Sequence, residues 1–259
     1  MQALVDNLPV FLLIVARVSG IFMSAPAIGS RNLHPRARVG ASVALALLIA
    51  PFVPVDPAAL PADLLVYVGI ALKELIVGIL LGFSAMLIFN AVQLAGQVLD
   101  VQIGFGVANV IDPITNAQVP TMGQFQFIIA MLLFLAMDGH HLLLTALARS
   151  FELVPLTEFW FSPTLASKFS SLVGEMFVMA VKVGAPAIGA LFLAEMGLGM
   201  IARTVPQMNV FIVGIPLKIA LSFVVVLTAL PIFQLLMANA FGGMMRDLLE
   251  MARAMGTHG

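Results

Sequence analysis

The sequence predicts an all-α membrane protein made of broken hydrophobic helices and helical hairpins. Three observations carry that prediction. Of 259 residues, 61% are hydrophobic and only 10% charged, and the mean hydropathy is +1.11, whereas soluble domains carry about 25% charged residues. The apolar residues gather in six long blocks separated by polar or Pro-rich gaps. The chain has 15 Pro and 21 Gly, and some of them fall inside those blocks, where they break or bend helices. The absence of Cys excludes disulfides, thiolate metal sites and Cys nucleophiles. The sixteen Met residues read as flexible core filler. A net charge of −1 gives no sign of a nucleic-acid partner.

The first block opens at Asn7-Leu8-Pro9, a polar cap candidate with Pro in the first turn, and runs to about Met23, interrupted by Arg17. No basic residue precedes it, so no cleavable signal peptide is expected and residue 1 reads as the mature start. Ser24 to Arg38 reads as a loop with Arg31, His34, Arg36 and Arg38. Val39 to Val53 is the second block, ended by a Pro-rich segment carrying Asp56 and Asp63. The third, Leu64 to Val92, contains Lys73-Glu74 and a Gly78-Ile-Leu-Leu-Gly82 pattern, in which glycines four apart admit a second backbone. From Gln93 the helix continues with a changed character. Gln93, Gly96, Gln97, Asp100 and Gly104 share one polar or small face, while Leu94, Val98 and Val101 form an apolar one. That pattern suits a wet channel or a polar seam between helices.

The stretch Gly104 to Pro120, GFGVANVIDPITNAQVP, cannot be a simple membrane helix. Asp112-Pro113 and Asn116 are turn chemistry, yet no Lys or Arg marks it as an ordinary solvated loop. Irregular backbone beside membrane spans persists where protein buries it or where it lines a water-filled cavity. The rest of the chain is therefore expected to hold this stretch inside such a cavity.

The fourth block, Gln124 to Met137, is interrupted by Asp138-Gly139-His140-His141 and resumes to Leu147. Residues 151–161 read as a connector, and Ser162-Pro163 as a helix start. The helix that follows is expected to reach Met196, about 50 Å at 1.5 Å per residue. That exceeds the ~30 Å hydrocarbon core, so it tilts, kinks near Gly184-Ala185-Pro186, or projects. Gly197 to Met208 reads as a turn, Asn209 to Phe241 as the last block with internal Pro216 and Pro231, and 242–259 as a tail. The basic first loop is assigned to the cytoplasm and the acidic second loop to the outside. Alternation puts the Arg203 turn inside and both termini outside.

Arg17, Lys73, Glu74, Glu175, Lys182 and Lys218 sit in or beside apolar runs. A charge at the bilayer centre costs at least ~2.5 kcal/mol. These residues therefore form a proton or ion relay, or they face water and protein partners; the sequence alone leaves both open. Asp138 and His141, three apart, could share a metal, but Asp138 to His141 is not expected to make a metal site. Adjacent histidines on a helix point about 100° apart, and a catalytic zinc normally takes three protein ligands, so a polar helix end is expected there. No nucleophile motif surrounds any Ser or Lys, and Gly104-Phe105-Gly106 lacks the further Gly of a dinucleotide loop. No enzymatic activity and no cofactor are expected. Arg203-Thr-Val-Pro206-Gln207-Met-Asn209 reads on physics as a plain hairpin turn, with a docking surface as the alternative.

Several blocks, in order, resemble the flagellar biosynthetic protein FliR family, the export-gate subunit of type III secretion systems. They are Gln97-Val-Leu-Asp100-Val-Gln-Ile-Gly-Phe-Gly106, Val107-Ala-Asn109-Val-Ile-Asp112-Pro113, Gln118-Val-Pro120-Thr-Met-Gly-Gln124-Phe, Asp138-Gly-His-His141, Ala202-Arg-Thr-Val-Pro-Gln-Met-Asn-Val-Phe211 and Gly214-Ile-Pro-Leu-Lys218. The Arg203 block is similar to the flagellar branch more than to the injectisome branch.

The resemblance implies a channel subunit of the flagellar protein-export gate in the bacterial inner membrane, at the flagellar basal body. Its implied partners are FliP-like and FliQ-like membrane subunits, FlhB-like and FlhA-like export components and, in transit, unfolded flagellar proteins. It also implies a FliP-like part over 1–150 and a FliQ-like hairpin over 162–241. The stretch 104–120 becomes a channel plug, with Gly104 and Gly106 allowing hinge-like backbone and Phe105, Asn109, Asp112, Pro113, Asn116, Gln118 and Pro120 within it. The charges in apolar runs then face neighbouring subunits or the channel. The alternative is a secondary transporter or ion channel using those charges; dissimilar halves before and after residue 150 speak against the internal repeats of many transporters.

Overall fold

The computed structural model describes residues 8–26, 34–53, 60–61, 63–104, 121–205, 207 and 209–256. Among them all regular structure is helical: α1 (Leu8–Ser24), α2 (Pro35–Ile49) followed by the 3-10 turn Ala50–Phe52, α3 (Leu64–Ile103), α4 (Thr121–Ala136), α5 (Gly139–Leu153), α6 (Pro163–Thr204), α7 (Val210–Thr228) and α8 (Leu230–Met255). Three segments, Pro35–Phe52, Leu64–Ile103 and Pro163–Thr204, are long and apolar enough to cross a membrane. Two further spans arise if α4 with α5, bent by 68°, and α7 with α8, bent by 55°, each count as one.

The bends have local causes. Asp138 sits in the left-handed region at φ 55°, which a short polar side chain tolerates. The expected polar interruption is thus a helix break. Between α7 and α8, Pro231 brings no N–H for the carbonyl four residues earlier, and the Thr228 hydroxyl donates back to the Val224 and Val225 carbonyls.

Four boundaries differ from the sequence expectation. Helix α2 begins at Pro35, so Arg36 and Arg38 belong to its first turns and not to a loop. Helix α5 runs to Leu153, three residues into the expected connector. Helix α6 passes through Pro186 and continues to Thr204, making Gly197–Thr204 helical and placing Arg203 in a last helical turn. The expected tail is helix to Met255, with Met244, Leu248, Met251 and Met255 buried. Ser162-Pro163 starts α6 as expected. The Ser162 hydroxyl accepts from the Leu165 N–H at 3.0 Å and donates to the Ala254 carbonyl at 2.8 Å.

The chain forms two compact units, neither a single stretch of sequence. The first comprises Met1–Leu87, Leu135–Val173 and Phe241–Gly259. Here α1 crosses α3 on glycine. A Cβ on Gly78 would strike the Arg17 carbonyl oxygen, one on Gly20 would lie 2.8 Å from the Ile79 nitrogen, and one on Gly82 would lie 2.8 Å from the Ala25 nitrogen. The Gly78/Gly82 pattern is therefore a packing face, and Gly20 is its counterpart. The Tyr67 hydroxyl donates to the Pro9 carbonyl at 2.7 Å and ties the two helices again.

The second unit comprises Ile88–Phe134 and Gly174–Ala240. Its core joins Leu99 and Ile103 of α3, Met122 of α4, Ala187 and Leu191 of α6 and Val226 of α7. Phe89 meets Phe134 edge-on at 5.4 Å between ring centres.

Candidate functional site

Phe105, Gly106, Asn109, Asp112, Pro113, Asn116, Gln118, Pro120 and Pro206 lie outside the described residues. What the structure places are the residues on either side of the 105–120 stretch, in the second unit. Helix α3 ends at Ile103, and Gly104 follows at φ +100°, a backbone conformation that favours glycine. The Gly104 N–H is shared between the Asp100 and Val101 carbonyls at 3.3 and 3.2 Å. Helix α4 then begins at Thr121. Its first-turn N–H groups have no acceptor within the helix, and Asp100 supplies one from α3. Its carboxylate accepts from the Met122 N–H at 2.9 Å and from the Gly123 N–H at 3.2 Å, one oxygen to each. Asp100 is 7% exposed. One turn earlier on the same face is Gly96, where a Cβ would overlap Gly123 Cα. Backbone meets backbone there, which lets so short a side chain reach the end of α4.

The polar face expected over residues 93–104 is only partly buried. Gly96 and Asp100 are buried, Gln93 is half-buried and Gln97 exposed, while apolar Val98 and Val101 face outward. Gln102, Gly104, Glu195, Ile215 and Lys218 line a cavity of about 540 Å³. Lys218 Nζ pairs with Glu195 Oε1 at 3.3 Å and donates to the Gln102 carbonyl at 3.4 Å.

The first unit holds a different cluster. Arg17 Nε donates to Glu74 Oε2 at 2.6 Å, with both side chains fully buried. Arg17 Nη1 donates to the Ser150 carbonyl at 2.9 Å, and Nη2 to the Val154 carbonyl at 2.8 Å. These are carbonyls at the C-terminal end of α5, where a cation is favoured. The guanidinium also lies 4.4 Å from the Phe151 ring centre. Glu74 Oε1 accepts from the Thr157 N–H at 3.2 Å, and Thr157 has a φ of 81°, an outlier for a β-branched residue. The Glu74 bond helps hold that turn.

The charges set aside for subunit contacts therefore divide. Arg17, Glu74 and Lys218 are engaged within the chain, because each finds a counter-charge and backbone acceptors or donors there. Lys73 and Lys182 are exposed, and Glu175 is exposed as well but has an interaction within the chain. Arg203, Gln207 and Asn209 are exposed too, and Asn209 Oδ1 accepts from the Ile212 N–H at 3.4 Å. The parts of these clusters absent from the sequence reading are Ser150, Phe151, Thr157 and Gly123. None of them lies at helical spacing from its partner, so only Gly123, a small residue beside a helix start, gave any signal.

Long apolar helices around satisfied internal charges define the class, a polytopic all-α membrane protein. Residues 8–244 match the family described as "Bacterial export proteins, family 1", and the chain belongs to that family, among FliR proteins. It is 38% identical to "Flagellar biosynthetic protein FliR" of Bacillus subtilis (strain 168), covering 97% of this chain and 98% of that one. It is 26% identical to the protein of the same name from Escherichia coli (strain K12), covering 83% and 82%. It is 29% identical to "Yop proteins translocation protein T" of Yersinia pestis, covering 82% of both.

Proposed function

We propose that this chain is a channel-forming subunit of the flagellar type III protein-export gate in the bacterial inner membrane, at the flagellar basal body, and that it catalyses no reaction. The observation that carries this reading is its likeness to FliR proteins along almost its whole length. In this reading residues 1–150 act as a FliP-like part and 162–241 as a FliQ-like hairpin. Both assemble with FliP-like and FliQ-like subunits and meet FlhB-like and FlhA-like components. The exposed charges Lys73 and Lys182, on helices otherwise apolar enough to span a bilayer, are matched by polar groups of those neighbours, since lipid would not accept them. Residues 104–120 occlude the conduit until an unfolded flagellar protein passes. A stretch without Lys or Arg does not trap a polypeptide by charge, and its two flanks are already held together through Asp100. A proton relay through Arg17 and Glu74 is disfavoured, because the pair is fully buried and bonded to its own chain.

Deletion of several residues between Val110 and Val119, in the chain co-expressed with its membrane partners, tests the reading. The complex should be recovered intact, and vesicles containing it should leak small ions. An intact complex that stays impermeable sinks the plug.

A further inference from the structure

We infer that the second unit has a binding site for one ordered water molecule, held between the side-chain carbonyl of Gln126 on α4 and the backbone carbonyl of Lys182 on α6. Gln126 is 4% exposed, and among the described residues no donor reaches its Oε1. A buried acceptor without a donor costs free energy, and folded proteins keep few of them. The second acceptor is released by Pro186, which lies inside α6 and brings no N–H for the Lys182 carbonyl four residues earlier. Gln126, Lys182 and Pro186 line one cavity of about 20 Å³. A single water needs about 10–15 Å³ of such space, so one water fits and a ligand of several atoms does not. Proline is tolerated in membrane helices where a Ser or Thr hydroxyl or an ordered water satisfies the freed carbonyl. No Ser or Thr lines this cavity; apart from Gln126 and Lys182 its walls are apolar, Ala229, Leu230 and Phe233 among them. Water has the matching chemistry. Its two O–H groups donate to the two carbonyls, and one N–H of the Lys182 ammonium, on the same wall, donates to its oxygen. That makes about three bonds, the usual number for a buried water. The water joins α4 to α6 beside the proline, whatever the role of the chain in export.

The test uses the full chain, purified in mild detergent with its co-expressed membrane partners. A density map fine enough to show ordered waters should hold one isolated peak about 2.5–3.0 Å from both Gln126 Oε1 and the Lys182 carbonyl oxygen. Three results in that map overturn the inference: no peak, a partner's side chain filling the cavity, or a Gln126 amide turned so that its N–H₂ donates to the Lys182 carbonyl directly. Gln126→Met reads the same site through stability, since it keeps the length of the side chain and removes the acceptor. With the water in place it should lower the melting temperature by roughly 2–4 °C, the shift that one lost hydrogen bond gives a chain of this size. An unchanged or raised melting temperature marks Oε1 as an orphan and overturns the inference. Pro186→Ala returns an N–H to the Lys182 carbonyl. Because both substitutions act on one water, their shifts should combine non-additively, and additive shifts overturn the bridge. Should Gln126→Met yield no folded chain, the map of the unaltered protein decides by itself.

Discussion

Glu74 and Asp100 are two buried carboxylates on the same helix, and they are satisfied by opposite means. In the first unit Glu74 faces a guanidinium and one backbone N–H. In the second unit Asp100 faces two backbone N–H groups and no side-chain cation among the described residues. The first arrangement joins α1, α3, the end of α5 and the turn after it, so it governs how helices pack. The second joins the end of α3 to the start of α4. Burying a charge against a charge makes each partner depend on the other, whereas burying it against amides leaves no orphaned charge when it is removed.

The largest expected effect breaks that contrast at Glu74. Glu74→Leu leaves Arg17 charged, buried and unpaired, a situation that costs about 3–5 kcal/mol. The complex should be lost or melt far below the unaltered one in detergent. Arg17→Met with Glu74→Leu removes both charges and should regain much of that stability. A double variant as unstable as the single one would show that packing volume, not charge, dominates the cluster. Next comes Gly78→Leu, which sharpens the contrast by testing the frame without touching a charge. Its side chain meets the Arg17 backbone, so α1 and α3 must separate, at about 1–3 kcal/mol, read as a lower melting temperature. The smallest effect is expected from Lys168→Met. Lys168 Nζ pairs with Glu250 at 2.6 Å and Asp247 at 3.3 Å in a partly exposed network. Such pairs contribute little and are screened by salt. A small loss at low ionic strength that vanishes at high salt is the expected result, and a loss that persists in salt would class this network with Glu74.

Much of the fold was legible in the sequence because a bilayer reads composition directly. The six apolar blocks, the polar break at Asp138, the Ser162 cap and the Gly78/Gly82 face all follow from local spacing. The C-terminal helix was legible in principle, since Met244, Leu248, Met251 and Met255 recur at helical intervals. The charges Arg246, Asp247, Glu250 and Arg253 between them gave the segment the look of a solvated tail. The end of α6 was hidden by its glycines, which favour a turn by propensity but are tolerated in a helix that packing supports. Of the candidate site, Asp100 and Gly96 stood out as a polar face. That this face meets Gly123 was beyond reach, because spacing within one helix says nothing about a neighbour.

The sequence by itself determined that the chain is a helical membrane protein and that several charges must find partners. Those conclusions depend on side-chain polarity and on intervals of a few residues. Tertiary structure alone decided the partners: Arg17 with Glu74 and the carbonyls at the end of α5, Lys218 with Glu195, and Asp100 with the start of α4. Each pairing joins residues far apart in the chain. Which of many buried donors meets which acceptor depends on helix crossings set by glycines and bends, and no local pattern records it.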